Sequence, residues 1–239
     1  TPLIVLANSW KHHDYCIAGI NPETGKWVRP VTNLNDGRIP KDAMQLDGYF
    51  PELMDVIEVP LADSGPDFTF ERENRSILPG KWRLAGRASI ADLMSFAETP
   101  RIVLHNDRRY VTIEDMQRKE FKDRATLQLL HVDNFAVKHR MQVLGKNYWS
   151  ALIKSGANTI NPRITDPVYH ALLDTGHAAS KTCLLTASLT MPWVPPGWKE
   201  TASPPCWKLI AGVIELASSQ SSKPNDCENP REAPWSAGR

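Results

Sequence analysis

The segment that contains Trp27 and Arg29 combines residue types that bind nucleic acid. Two β-prone runs flank the turn Asn21-Pro22-Glu23-Thr24-Gly25, which predicts a β-hairpin. Residues in the strand after the turn alternate between two faces, so Trp27 and Arg29 share one face. A tryptophan stacks on a base, and a guanidinium contacts phosphate or a base edge. The pair therefore predicts a site for single-stranded nucleic acid. The alternative is that Trp27 fills the core and Arg29 pairs with a carboxylate such as Glu58.

Five further polar residues extend this predicted site. Asn8 and Lys11 lie where the first apolar run gives way to polar residues. Glu73 and Asn74 carry the donors and acceptors that hold a base edge, and Arg72 supplies a cation for phosphate. Ion pairing and turn capping within this polar segment are the structural alternatives.

The middle of the chain is basic. Residues 101–163 carry a net charge of +6, whereas residues 1–100 carry −4. Such an excess is typical of an anion-binding surface, and also of a solvated face. Tyr110, Tyr148 and Trp149 are interleaved with the cations, which favours a surface that combines base stacking with phosphate contacts. The candidate nucleic-acid-binding cations of this segment are Arg108, Arg109, Lys138 and Arg140.

The sequence lacks the motifs of common nucleotide-dependent and metal-dependent enzymes. It contains no phosphate-binding loop, no GxGxxG after a strand, no HExxH and no GxSxG. Its four cysteines show no CxxC spacing, and His12 and His13 are expected in a solvated loop, so we predict no metal and no cofactor. Catalytic residues stay unassigned, because His105, His131 and His139 accompany acids that folding can bring near them.

Composition indicates a folded protein without a membrane span. Hydrophobic residues make up 41% and charged residues 23% of the chain, which is ordinary for a globular protein. No run approaches the roughly 18 apolar residues of a transmembrane helix, and the first residues are unlike a signal peptide. We therefore expect a cytoplasmic protein with no membrane partner.

Short β-prone runs separated by turn residues predict a mainly β fold with minor α-helix. The 19 prolines suit short strands better than long helices. Helices are predicted to begin at Ser89, at Thr112 and at Thr165-Asp166-Pro167, where polar caps precede apolar residues. A short strand is predicted at residues 101–104. Residues 217–239 are poor in apolar side chains and are expected to form a disordered tail.

Two segments near opposite ends of the chain resemble each other. Ile17-Ala18-Gly19-Ile20 is matched by Ile210-Ala211-Gly212-Val213, and each follows an apolar strand that carries small Ala and Ser residues. A glycine within a strand marks a bulge or the sharp bend of a small barrel. The match predicts two tandem copies of one barrel type.

Several motifs together resemble the bacterial dual-OB domain family. The opening matches are Leu6-Ala7-Asn8-Ser9-x-Lys11, Cys16-Ile17-Ala18-Gly19 and Gly25-Lys26-Trp27-Val28-Arg29-Pro30-Val31. The later matches are Glu73-Asn74, His131-Val132-Asp133-Asn134, Thr165-Asp166-Pro167 and Trp207-Lys208-Leu209-Ile210-Ala211-Gly212-Val213, so the resemblance covers about residues 3–216. It implies two OB-like barrels with short inserted helices, here placed at 1–100 and 101–216. It also implies a role in binding nucleic acid, with a link to prokaryotic defence against phage.

Three hypotheses of function follow. The leading one is a module that binds single-stranded or modified DNA or RNA through Trp27, Arg29 and the basic segment 101–163. The second is an enzyme acting on nucleic acid or a modified nucleotide, with Asn8, Lys11, Arg29, Glu73 and Asn74 in one pocket. The third is a scaffold whose aromatic residues contact other proteins of a defence system.

Overall fold

A computed structural model describes residues 1–11, 14–44, 46, 48–141, 147–195, 197–198 and 203–216. The predicted disordered tail at 217–239 lies outside the described residues, as do His12, His13 and the side chain of Lys11. The chain divides into two compact units. The first contains Thr1–Pro66 and Asn74–Ala97, and the second contains Asp67–Glu73 and Glu98–Glu215.

The first unit is built on a single sheet. Its strands are β1 (Pro2–Lys11), β2 (Asp14–Asn21), β3 (Lys26–Val31), β4 (Asp55–Glu58), β5 (Asn74–Ser76) and β6 (Arg83–Arg87). The sheet order is β5-β3-β2-β1-β4-β6, in which β3 and β5 are parallel and the other neighbours are antiparallel. A 3-10 helix spans Lys41–Met44. Helix α1 (Ile90–Met94) begins after Ser89, which forms the predicted N-cap.

The predicted hairpin is confirmed as β2–β3. Gly19 lies opposite Val28, and Ile20 lies opposite Trp27. Val28 belongs to the buried core of the unit together with Ile17. The alternation of faces therefore holds in β3, because Trp27 lies on the other face from the core residue Val28.

Gly19 lies at a bulge, which is one of the two features that a glycine within a strand predicts. The register of β1 and β2 shifts between Val5 and Ala7, so Leu6 is the extra residue. A Cβ atom at position 19 would lie 1.9 Å from the main-chain oxygen of Ile4, so only glycine fits there. The two strands therefore approach each other closely at this glycine.

The second unit is built on a larger sheet. Its strands are β7 (Tyr110–Thr112), β8 (Leu127–Val132), β9 (Ala136–Arg140), β10 (Tyr148–Ser155), β11 (Asn158–Ile160), β12 (Arg163–Ile164), β13 (Cys183–Leu189) and β14 (Pro205–Glu215). The main path is β11-β10-β12-β14-β13-β8, with β9 added to β10 and β7 added to β14. Together the two sheets confirm the prediction of a mainly β fold.

Two short helices of the second unit begin where the sequence predicts. The Thr112 hydroxyl accepts a hydrogen bond from Asp115 N–H at 3.1 Å and caps α2 (Ile113–Gln117). Asp166 caps α3 (Pro167–Asp174) by accepting from the N–H groups of Val168 and Tyr169, each at 3.0 Å. A carboxylate at this position also stabilises the positive end of the helix dipole.

The strand pair β13–β14 contains the second predicted bulge. Thr186 lies opposite Gly212 and Ala187 lies opposite Ile210, which leaves Ala211 as the extra residue. The extra residue of this bulge therefore lies on the strand that carries the glycine. In β1–β2 it lies on the opposite strand instead.

The prediction of a strand at 101–104 is wrong. These residues form bends and turns, and Leu104 and His105 have φ angles of 39° and 72°, in the left-handed region. The Val103 N–H donates to the Ser155 hydroxyl at 3.0 Å, and the Leu104 N–H donates to Gln128 Oε1 at 3.0 Å. Side chains, rather than a paired strand, thus accept from the N–H groups of Val103 and Leu104.

Candidate nucleic-acid interface

Arg29 is buried in the first unit, with only 3% of its surface exposed. It lies opposite Asn74 in the parallel pair β3–β5, and its Nη1 donates to Asn74 Oδ1 at 3.3 Å. The Asn74 amide in turn donates to the Pro66 carbonyl at 2.7 Å. Glu58, the acid considered as a partner for Arg29, forms an ion pair with Arg83. Arg29 therefore joins two segments of the unit through a buried polar network.

The other candidate residues of the first unit differ in exposure. Trp27 is half-buried and lies outside the core cluster of the unit. The Asn8 amide donates to the Pro51 carbonyl at 2.8 Å, while Asn8 Oδ1 is buried with no hydrogen-bond partner in the described part of the chain. Lys11 ends β1 opposite Asp14, and its side chain lies outside the description.

Glu73 is held within the second unit. It is 2% exposed and accepts hydrogen bonds from the main-chain N–H and the hydroxyl of Thr126, both at 2.9 Å. Arg72 Nε lies 3.5 Å from Glu73 Oε1 in a partly exposed ion pair. Contact of Arg29, Glu73 and Asn74 with nucleic acid stays a prediction, and their burial favours a structural role in this conformation.

Several cations of the second unit share one outer face. In the antiparallel pair β9–β10, Arg140 lies opposite Tyr148 and Lys138 lies opposite Ser150, which also pairs with Arg163 of β12. Residues that lie directly opposite each other point to the same side of a sheet. We call the surface formed by Lys138, Arg140, Tyr148 and Arg163 the β9–β10 face.

The β9–β10 face points away from the core. Ala151 and Ile153, which alternate with its residues along β10, belong to the core cluster. Lys138 and Arg163 are exposed, and Arg140 and Tyr148 are half-buried. The Arg163 guanidinium carbon lies 5.0 Å from the centroid of the Tyr148 ring, within cation–π distance. The face thus presents an aromatic ring among three cations.

Trp149 lies on the opposite side of β10. Its ring packs beside His139 with centroids 4.9 Å apart, and its Nε1 donates to Asp174 at 2.7 Å. That hydrogen bond, together with nearby His170, holds the pKa of the Asp174 carboxyl below its ordinary value. Trp149 therefore fastens α3 to the sheet, although the sequence grouped it with the stacking residues.

Arg109 lies beside a second aromatic group. Its guanidinium carbon is 5.6 Å from the Trp207 ring, and this ring packs against Tyr110 and Trp198 with centroids 5.3 Å and 5.2 Å away. Arg108 is exposed next to it. The Trp207 Nε1 donates to the main-chain carbonyl of Trp193. Trp193 itself is 57% exposed. This cluster holds the Pro- and Trp-rich segment after β13 against β14, a role that the sequence did not reveal.

Lys208 was also not predicted to have a special role. It is 2% exposed, and its Nζ donates to the main-chain oxygens of Val103 and Asn106, both at 2.6 Å, and to Asn106 Oδ1 at 3.0 Å. Burial lowers the pKa of its ammonium group to about 7, whereas three oxygen acceptors match the three donors of the charged form. Lys208 thereby stabilises the bends at residues 101–104, for which the sequence predicted a strand.

The described contacts do not assemble a catalytic centre from the predicted residues. Asn8, Arg29, Glu73 and Asn74 each bind main-chain or side-chain groups of their own unit. Within the described residues, no group of three or more His, Cys, Asp or Glu side chains is arranged to hold a metal ion. No helix of the described part is long and apolar enough to cross a membrane.

The chain forms two small, mainly β units, and each has a glycine at a bulge between long antiparallel strands. These features define a protein of tandem OB-like barrels. The family model of the dual OB-containing domain matches residues 2–213. The chain therefore belongs to the dual OB-containing domain family, which confirms the predicted fold class. No curated protein and no solved structure matches the chain significantly.

Proposed function

We propose that this protein binds single-stranded nucleic acid through the β9–β10 face. The observation that carries the proposal is the position of Lys138, Arg140 and Arg163 around Tyr148 on one outer surface. OB barrels bind oligonucleotides on a sheet face and its adjacent loops, so the location agrees with the fold. The cations would contact phosphates, and the tyrosine would stack a base.

The charge of the β9–β10 face supports this proposal. The residues on the Tyr148 side of β9, β10 and β12, as far as these strands are described, are Ala136, Lys138, Arg140, Tyr148, Ser150, Leu152, Lys154 and Arg163, of which Ser150 is buried. None of them is acidic, whereas Arg83, Arg87 and Arg118 of other surfaces each lie against a carboxylate. An anion that approaches β9–β10 therefore meets cations without competing acids on the same strands.

A single strand suits this surface better than a duplex. The Tyr148 ring can stack only on a base that is exposed, and every base offers a π-face, so such binding tolerates many sequences. A role beside other proteins of a prokaryotic defence system belongs to the same proposal and is supported by the family resemblance alone. A cytoplasmic location belongs to the proposal as well and is supported by the sequence.

Salt-dependent binding tests the proposal. The affinity for a labelled 12-nucleotide single strand is measured by fluorescence anisotropy between 50 and 200 mM salt. Each phosphate contact contributes a slope of about −0.7 to log K against log salt. The Lys138→Ala/Arg163→Ala variant should weaken binding and make this slope less steep by about 1.4.

The matched control removes two exposed cations of the first unit, in the variant Lys26→Ala/Lys81→Ala. We expect this control to bind like the natural chain. Absence of binding by the natural chain would overturn the proposal, and so would equal losses of affinity in the two double variants. Circular dichroism checks that both variants retain the β-sheet fold.

A further inference from the structure

A cavity of about 200 Å³ lies in the second unit, beside the end of β10. Val103 and Leu130 contribute an apolar floor, and both are almost completely buried. His131, Asp133, Asn134 and Lys154 line its polar rim. Binding sites for small molecules combine these features, since an apolar wall holds the body of a ligand and a few polar groups orient it.

The volume of the cavity suits one planar ring system. A protein cavity of about 150 Å³ is sufficient for benzene. A cavity of about 200 Å³ therefore accommodates a single nucleobase, whereas it is too small for a chain of stacked bases. Enzymes and binding proteins that select one base commonly place it in a close-fitting pocket of this kind.

The rim offers groups that contact the edge of a base. Asp133 is an acceptor in its ionised form, and the Asn134 amide has both donors and acceptors. His131 Nε2 lies 3.7 Å from Asp133 Oδ1, which orients the two side chains toward each other. Lys154 adds an exposed cation at the opening. A base with its attached phosphate matches this set of groups.

The cavity can be reached along the β9–β10 face. Tyr148 and Lys154 lie on the same side of β10, because they are six residues apart and sides alternate with period two. At about 3.3 Å per residue they are about 20 Å apart. A strand that stacks on Tyr148 and follows β10 would bring a later nucleotide to Lys154 and the cavity.

We propose that this cavity takes one unstacked base of the bound strand and prefers bases with an exocyclic amino group. The inference rests on the proposed function and adds base selectivity to it. A carboxylate accepts a hydrogen bond from the N4 amino group of cytosine, whereas thymine and uracil present a carbonyl oxygen at that position. Asp133 therefore favours cytosine over thymine or uracil.

Two pyrimidine homopolymers test the inference, because their bases stack similarly and their backbones carry equal charge. The affinities of the natural chain for single-stranded (dC)12 and (dT)12 are measured by anisotropy at one salt concentration. We expect (dC)12 to bind at least about fivefold more tightly, which is the lower range for one discriminating base contact. Asp133→Asn should remove or reverse this preference, because the amide can donate to the thymine carbonyl.

Two further variants keep the test decisive. Asp123→Asn makes the same chemical change at an exposed position of the same unit, and it should preserve the preference for (dC)12. Thr99→Trp replaces an exposed residue that lines the cavity, and its indole should fill the cavity. We expect this variant to lose the preference for (dC)12 and still to bind both oligonucleotides.

The outcomes separate this inference from the proposed function. If neither oligonucleotide binds, the proposed function fails. If both bind equally and Lys138→Ala/Arg163→Ala weakens both, the function stands and the base-selective cavity is refuted. A preference that survives both Asp133→Asn and Thr99→Trp would also refute the cavity as its origin.

Discussion

Two hairpins of this protein each place an aromatic residue and at least one cation on one face, and the cations differ in burial. In β2–β3, Trp27 is half-buried and Arg29 is 3% exposed and bound to Asn74. In β9–β10, Tyr148 lies beside exposed Lys138 and below exposed Arg163. A similar combination of residues thus forms a buried network in one unit and an accessible surface in the other.

The difference shows that burial, rather than residue type, separates a structural cation from a binding cation. A buried charge is tolerated only where polar groups compensate for its lost hydration. Arg29 and Lys208 meet that requirement through protein oxygens in their own units. The exposed cations of the β9–β10 face remain hydrated and can exchange that water for phosphate.

The largest expected effect of a single change concerns Lys208. Replacement by methionine keeps the length of the side chain but removes three hydrogen bonds of a charged group, to the main-chain oxygens of Val103 and Asn106 and to Asn106 Oδ1. The Asn106 main-chain oxygen keeps the Ser155 hydroxyl as a donor, whereas the Val103 oxygen loses the Lys208 ammonium. Because each hydrogen bond of a charged group contributes about 1.5–3 kcal/mol, we expect the free energy of unfolding to fall by about 3 kcal/mol or more. Urea denaturation measures this change. A loss below about 1 kcal/mol would mean that Lys208 does not hold residues 103–106.

A smaller loss of stability is expected at Arg29. Arg29→Met removes the donor to Asn74 Oδ1 within a buried site and should lower the free energy of unfolding by about 1–3 kcal/mol. The control Arg163→Met changes an exposed arginine and should stay within about 0.5 kcal/mol of the natural chain. Equal stability of the two variants in urea would contradict the claim that Arg29 is a buried structural cation and Arg163 an exposed one.

The third effect concerns binding rather than stability. Tyr148→Ala removes the stacking ring of the β9–β10 face and should weaken single-strand binding by about 1–3 kcal/mol. Tyr148→Phe keeps the ring and should retain most of the affinity in the same anisotropy assay. Trp27→Ala provides the comparison from the other hairpin. If Trp27→Ala lost more affinity than Tyr148→Ala, the nucleic-acid-binding surface would be assigned to β2–β3 instead of β9–β10.

Local signals in the sequence predicted much of the fold. The turn before Lys26 specified the β2–β3 hairpin, and Ser89, Thr112 and Asp166 marked three helix starts. The glycines at 19 and 212 lie at two of the bulges, as their position within strands predicted. These features depend on neighbouring residues, whose conformational preferences and hydrogen bonds a sequence pattern expresses directly.

Features that depend on distant residues could not be predicted in this way. Arg29 is buried because Asn74, 45 residues away, lies opposite it in a parallel pair. The strand expected at 101–104 is replaced by bends because Lys208 holds the Val103 carbonyl across 105 positions of sequence. No local pattern contains such a contact, and so the residue types alone did not distinguish buried from accessible cations.

The β9–β10 face was predictable only in part. The sequence identified Lys138, Arg140 and Tyr148 as members of a basic, aromatic segment. Their position on a single face with Arg163 requires the register of β9, β10 and β12. In the sequence, the motif that begins at His131 contributed only to the family resemblance, and only the folded chain places it around a cavity.

Photochemical crosslinking tests the central claim most directly. A single-stranded oligonucleotide that carries 5-iodouracil is bound to the natural chain, irradiated and digested, and the crosslinked peptides are identified by mass spectrometry. We predict that the dominant crosslink lies at Tyr148, in the second unit. A dominant crosslink at Trp27, or the absence of any crosslink within the segments 136–141 and 147–163, would contradict the claim that the β9–β10 face binds nucleic acid.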